Sequence, residues 1–449
     1  MTFLSGLLAA RSHLAFLVGL AAAIAVVRLT ARAGGATQRP TGFEALGGLA
    51  EQWRPRRDAP LSHADREMAR AAWAYFQRNT DGRTGLASSV RGYPSTTMWD
   101  TGSQLMAVLA AQDLGLISRA EARRRLERAL KALTRLPLCE GVPNKAYDTR
   151  TLEMVDYGNH PRPDGIGWSA LDLGRLFVPL TLIVRREPAL TPLVERLAAR
   201  WDLAALGDGS ALRGATRRER GRLETYQEGR LGYEQYAARA LFPWGVDVGR
   251  ALDYRAHASL VAVEGQLVPA DDRQPRDHGG THNAVVSEPW VLEGLERGFD
   301  ATTGPLARGV FAAQAQRAVV TNRLTATSED ALDRPPGFSY SAVLNGGVAW
   351  TAFWPDGTPA PGDLTFSAKA AAGWAALFEG SYPDRLHAAA EALVVPGEGV
   401  YAGRYDATGE VNRVLSLGTN AVVLEALAYR LKGPFLRRSG APGGAEVRR

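Results

Sequence analysis

The chain has 449 residues, a net charge of +6, 45% hydrophobic and 22% charged residues, and a single cysteine. This is the composition of a folded globular protein, and the one thiol excludes an intrachain disulfide and a cysteine-based metal cage. The positive charge is scattered. Its densest runs, "RRRLERALK" (123–131) and "RRERGR" (217–222), read as a helix face and a loop rather than the concentrated basic stripe of a nucleic-acid partner.

The N-terminal stretch "RSHLAFLVGLAAAIAVVRLTARAGGA" carries an apolar run from Leu14 to Val27. That run suits a secretory h-region and is short for a full span. Residues 1–33 are therefore expected to be a signal peptide, or an anchor in the inner membrane through 14–27. Either places the body outside the cytoplasm, on the periplasmic or extracellular side. Residues 34–62, rich in Gly, Pro and Arg, read as a linker, residues 63–434 as one domain, and 435–449 as a disordered tail.

From residue 67 the period is helical. "EMARAAWAYFQRN" places Met68, Ala72, Tyr75 and Phe76 on one stripe, and Ser118 caps "RAEARRRLERALKALTRL". About eleven helices follow in all, alternating between apolar and amphipathic. The Ala/Gly-rich apolar members begin near residues 101, 167, 230, 287, 366 and 418. Six inner helices paired with outer ones describe an all-α (α/α)6 toroid of helical hairpins. A β-hairpin insertion is expected at 339–357, around Asn345-Gly346-Gly347.

The segments entering the inner helices open on one end of such a ring, and they concentrate carboxylates, aromatics and glycines. "ETYQEGRLGYEQYAARALFPWG" (224–245) alone gathers Glu224, Glu228 and Glu234 among tyrosines. Trp99, Trp168, Tyr226, Tyr233, Trp290, Tyr340 and Tyr405 are expected to ring the mouth, with Asp100, Asp164, Glu224, Glu228, Glu288 and Asp406 among them. Stacking rings with carboxylate acceptors suit a saccharide. Acidic residues also favour helix N-termini for purely structural reasons, so Asp100 and Glu288 admit a capping role as well. In a helical turn Glu224 would sit four residues from Glu228, repel it and keep it protonated as a general acid, while Glu234 would tolerate Gln. His278 and His282 have zinc-like spacing, but Gly279 and Gly280 between them argue against a metal site. No cofactor is expected.

The stretches "AWAYFQRNTDGRTGLASSVRGYPSTTMWDTGSQLMAVLAAQDLGLIS", "LPLCEGVPNKAYDTRT", "EGRLGYEQYAA", "SEPWVLEGLERGFD", "SEDALDRPPGFSY", "FSAKAAAGWAAL" and "LGTNAVVLEALAYRLKGP" resemble the bacterial domain-of-unknown-function family 3131. The resemblance implies a glucoamylase-like (α/α)6 domain related to endo-β-1,2-glucanases, and an exported glycosidase, inverting by preference, acting on a bacterial poly- or oligosaccharide such as β-1,2-glucan. By the same analogy Glu228 or Glu224 matches the acid and Glu288 the "SEP-aromatic" signature, while Asp100, Asp164, Glu288 and Asp406 qualify for the base. A non-catalytic glycan-binding or exopolysaccharide-assembly protein remains the alternative.

Overall fold

The computed structural model describes residues 60–218, 221–277, 280 and 282–437. The expected signal or anchor, nearly all of the linker, His278 and most of the tail lie outside them. Eleven α-helices occur among the described residues: α1 (His63–Asn79), α2 (Met98–Asp113), α3 (Arg119–Leu133), α4 (Ala170–Arg186), α5 (Thr191–Ala199), α6 (Tyr233–Leu241), α7 (Glu288–Arg297), α8 (Thr303–Thr321), α9 (Ala368–Leu377), α10 (Ser381–Glu391) and α11 (Leu417–Lys432). None is long and apolar enough to cross a membrane.

Six of them close a ring. Helix α2 packs on α4, α4 on α6, α6 on α7, α7 on α9, α9 on α11, and α11 back on α2. Their Ala/Gly content has a steric reason. A Cβ at Gly102, Gly174 or Gly373 would collide with Leu176, Ala237 or Val291, so three of the six helix contacts depend on a missing side chain. Helix α9, "AKAAAGWAAL", is buried on every face, as expected of an inner helix. Thr97, Ser169, Ser367 and Ser416 cap four of the six inner helices, each cap contributing about 1 kcal/mol.

The outer layer is incomplete. Helices α1, α3, α5, α8 and α10 back the ring, but no helix follows α6. In its place come short 3-10 turns and the hairpin Ala258–Val263/Gln266–Asp271, which packs on α8. The arginine-dense run 123–131 belongs to α3, whose charges are laced by Glu121–Arg125 and Glu127–Lys131 pairs.

The all-α expectation needs correction. The hairpin Phe338–Asn345/Val348–Phe353 forms around Gly346 and Gly347, both at positive φ as its two-residue turn requires. It is joined by Glu329–Ala331, and five further small antiparallel sheets stand beside it. Strands Ser95–Thr97, Leu223–Gln227, Thr365–Ser367 and Val411–Leu415 each lead into an inner helix. The polar, aromatic entry segments that read as loops are thus pinned by backbone ladders, and the mouth is built on rigid chain. The folded chain also runs past residue 434: Phe435 is buried and Arg437 donates to the Gly298 carbonyl.

Arg175 of α4, with no solvent exposure, ties the ring together at its centre. Its Nε donates to Ser103 Oγ of α2 (3.0 Å), Nη1 to Tyr236 OH of α6 (3.0 Å) and to Glu296 of α7, and Nη2 to Glu425 Oε1 of α11 (2.5 Å). Burial, with Glu296 close by, raises the Glu425 pKa. Replacing Arg175 with Met strands two buried acids, so chemical denaturation should show a loss of about 3–5 kcal/mol. Ser103→Ala removes one hydrogen bond and should cost about 1 kcal/mol. Equal, small effects from both would mean the ring does not depend on this cluster.

Candidate active site

The starts of the inner helices converge. Trp99, on the first turn of α2, packs edge-on against Tyr233 at the start of α6 (5.5 Å) and donates from Nε1 to Glu288 Oε1 at the start of α7 (3.3 Å). Glu288 is ion-paired with Lys369 at the start of α9. Glu228, from the segment entering α6, reaches the start of α4, where its Oε2 accepts from the N–H of Ala170 (2.5 Å) and Leu171 (3.4 Å). Two groups of charges result, on α4 and α9, three steps apart around the ring of six.

The α4 group contains Glu228, Asp172 and Lys145. Ser169 caps the Asp172 N–H and donates to Asp172 Oδ1 (3.1 Å). Burial raises the Glu228 pKa against the pull of Lys145, Ser169 and the helix N–H groups. Burial, then the Glu228 charge, pushes Asp172 up to about 7. Lys145 Nζ donates to Thr216 Oγ1 (2.8 Å) and Tyr226 OH (3.2 Å), and burial lowers its pKa. The α9 group contains Glu288, Lys369, Glu329 and Asp330. Burial, then Glu288, raises Glu329, whose carboxylate accepts from Tyr233 OH. Burial pushes Asp330 up to about 7, and Lys369 opposes it. Burial disfavours the Lys369 ammonium, yet Glu288, Asp330 and Glu329 hold its pKa above the ordinary range.

The two groups share one plan. In each, a buried carboxylate is locked, Glu228 by helix N–H groups and Glu288 by Lys369 and Trp99. In each, a half-exposed carboxylate, Asp172 or Glu329, has its pKa lifted by burial and by that locked neighbour. Asp100 stands between them. It accepts from Ser89 Oγ (2.5 Å) and Thr97 Oγ1 (3.0 Å), and burial raises its pKa, with Glu288 adding to the rise. Tyr340, stacked on Phe353 at 5.0 Å, lies within electrostatic reach of Glu329, Asp172, Glu228 and Glu288. Asp100, Asp172, Glu329, Tyr233 and Tyr340 all touch solvent although burial dominates their titration. Groups enclosed by protein and yet wet line a cleft.

Of the residues expected at the mouth, Glu228, Glu288, Asp100, Trp99, Tyr226 and Tyr233 are brought together here. Others are not. Trp290 is 1% exposed and packs on Tyr254 in the core. Trp168 is buried, with Nε1 on the Arg213 carbonyl. Asp164 is an exposed loop residue that lends its carbonyl to Arg217. Asp406 is clamped by Arg317 (2.8 Å to each oxygen) and Arg323, and its pKa is lowered as burial is outweighed by Arg317. Tyr405 bonds Asp333 (2.6 Å) under the Arg334 guanidinium. Glu224 lies on strand Leu223–Gln227, not on a helical turn, and pairs with Arg218 and Arg222; what raises the Glu228 pKa is burial. Glu234 is buried against Arg273 (2.6 Å), which contradicts its expected tolerance of Gln. Among the described residues no cluster could hold a metal ion.

Asp172, Lys145, Glu329, Asp330 and Lys369 escape a reading of the sequence alone. The best signal was Lys369, a lone charge within the apolar run "FSAKAAAGWAAL".

Solved structures share the fold of this six-helix ring. An endo-β-1,2-glucanase from Chitinophaga pinensis, in complex with sophorotriose and glucose, superposes with a TM-score of 0.58 at 11% identity, over 84% of this chain and 95% of that one. A glucoamylase-like protein from Bacteroides caccae gives 0.59 at 14% identity, over 83% and 94%. The endo-β-1,2-glucanase of Talaromyces funiculosus with sophorose gives 0.55 at 13%, over 83% and 84%. At these identities the likeness is one of fold. The model of the protein family of unknown function DUF3131 matches residues 67–433, and the chain belongs to that family. No curated protein matches it.

Glu228→Gln keeps the acceptor for the Ala170 N–H but removes a negative charge beside Asp172. Asp172 should then titrate below its value of about 7. Carboxyl infrared or carbon NMR titration reads this directly, and an unchanged midpoint would show that Glu228 does not set it.

Proposed function

We propose that the protein is an exported glycoside hydrolase that cleaves a bacterial poly- or oligosaccharide, with β-1,2-glucan as the leading substrate, by single displacement with inversion. The observation that carries this reading is the pair of half-exposed carboxylates, Asp172 at the start of α4 and Glu329 on the strand Glu329–Ala331 within reach of Lys369 of α9, each tuned by a locked neighbour. Asp172 keeps its proton near neutral pH and is the general acid for the leaving oxygen. Glu228 rests on the N-terminus of α4, which favours its ionised form, so it acts on Asp172 rather than on the sugar. Glu329, within reach of Lys369, is the base that draws a proton from water on the opposite face. The likeness in fold to two β-1,2-glucanases supports the choice of glucan. Export rests on the apolar run Leu14–Val27.

The test is incubation with a panel of bacterial β-glucans, following new reducing ends. The wild type should release them, and turnover should follow a bell centred near pH 7, rising as Glu329 loses its proton and falling as Asp172 loses its own. Asp172→Asn and Glu329→Gln should each lower turnover by at least about 10²-fold, the lower bound for acid–base catalysis, with glucan binding retained. Binding without cleavage of any glucan would make the protein a glycan-binding module instead.

A further inference from the structure

Tyr157 is the feature of the mouth that the acid–base groups leave unexplained. It is 65% exposed, and among the described residues it and Phe242 are the aromatics that stand most open to solvent as large exposed hydrophobics. An exposed aromatic is ordinarily mobile, and immobilising it on a ligand costs rotamer entropy. The chain that carries Tyr157 is instead tightly built. Asp156 Oδ1 accepts from the N–H of Gly158 (2.9 Å) and His160 (3.0 Å), and Oδ2 accepts from Arg162 Nε (3.0 Å). Asn159, in the left-handed region at φ 59°, reaches back to Asp148 Oδ2 (3.1 Å). The Tyr157 carbonyl accepts from Tyr93 OH (2.6 Å). Five hydrogen bonds thus hold the backbone of a side chain that contributes nothing to the core.

The direction of that side chain is informative. Tyr157 follows strand Met154–Val155 of the sheet whose strand Ser95–Thr97 enters α2, and its hydroxyl lies within electrostatic reach of Asp172, Tyr340, Tyr226 and Glu228. It makes no hydrogen bond to any described residue. Tyr340, one of the two tyrosine rings within reach, differs in being backed by Phe353. A rigidly presented aromatic face at the mouth, within reach of an acid, matches what a pyranose offers: an apolar ring face edged with hydroxyls.

We infer that Tyr157 is a substrate-positioning residue, a fixed platform on which one sugar ring stacks so that its glycosidic oxygen meets Asp172, with Tyr340 flanking the same subsite. This rests on the reading of the cleft as a saccharide site. Tyr157 carries no proton in the reaction and orders the sugar that Asp172 protonates.

The test uses the full chain and a β-1,2-glucooligosaccharide, with KM and kcat from reducing-end release, Kd from calorimetry, and the thermal midpoint. Tyr157→Ala should raise Kd and KM by about tenfold, the scale of one lost aromatic contact, with an unchanged thermal midpoint because the ring is exposed. Tyr157→Phe should restore most of the affinity, since the face is kept. A merely structural role would shift the midpoint and leave KM alone. If the wild type binds and cleaves the oligosaccharide and Tyr157→Ala does so with equal KM and Kd, the platform is wrong while the hydrolase reading stands. If the wild type neither binds nor cleaves any saccharide, both fall.

Discussion

The architecture depends on one buried cation. Arg175 has no solvent contact, and burying a guanidinium is costly unless it is fully paired. Its partners come from α2, α6, α7 and α11, so the charge is satisfied only when five of the six inner helices are in register. The same residue aligns the mouth. It lies 6.0 Å from the Trp99 ring, and Trp99 in turn touches Tyr233 and Glu288. Displacing any of these five helices along its axis would break the cluster, so their starts are held level where the chemistry is proposed. The glycine contacts at 102 and 174 complement this by letting the backbones of α2, α4 and α6 approach closely enough for Arg175 to span them.

Above that constraint the cleft is governed by an excess of acid. Glu228 and Asp172 share Lys145, and Glu288, Glu329 and Asp330 share Lys369. One cation cannot neutralise two or three enclosed carboxylates, so protons must be retained. They settle on groups held by a hydroxyl alone, Asp172 by Ser169 and Glu329 by Tyr233. Helix N–H groups hold Glu228 and Lys369 holds Glu288, which leaves Asp172 and Glu329 as the titrating, solvent-touching members. This division accounts for why the most deeply set glutamates are not the ones offered to a substrate.

The sequence carried the ring but only part of the site. The Ala/Gly-rich helix starts, the hairpin at Gly346-Gly347, and the gathering of Glu228, Glu288, Asp100, Trp99, Tyr226 and Tyr233 were all legible, because helical period and entry position are local properties. Burial is not local. Trp168 and Trp290 satisfy the same pattern as Trp99, yet they face the core. Asp406 looked free because Arg317 is far away in sequence, and Asp172 looked like an ordinary acid in a first helical turn. Glu224 misled because "LETYQ" forms a ladder with "RGATR" rather than a turn of helix. Strand formation at the helix entries was hidden by turn-rich flanks, and it is what makes the mouth rigid.

The central claim is that a saccharide lies between the α4 and α9 carboxylates. A crystal structure of the Asp172→Asn protein with a β-1,2-glucooligosaccharide tests it most directly. The account predicts continuous sugar density with a glycosidic oxygen at hydrogen-bond distance from the residue 172 side chain and Glu329 facing the opposite side of the same linkage. Sugar bound on the outer helices, or in the cleft with both carboxylates on one side of the linkage, would contradict it.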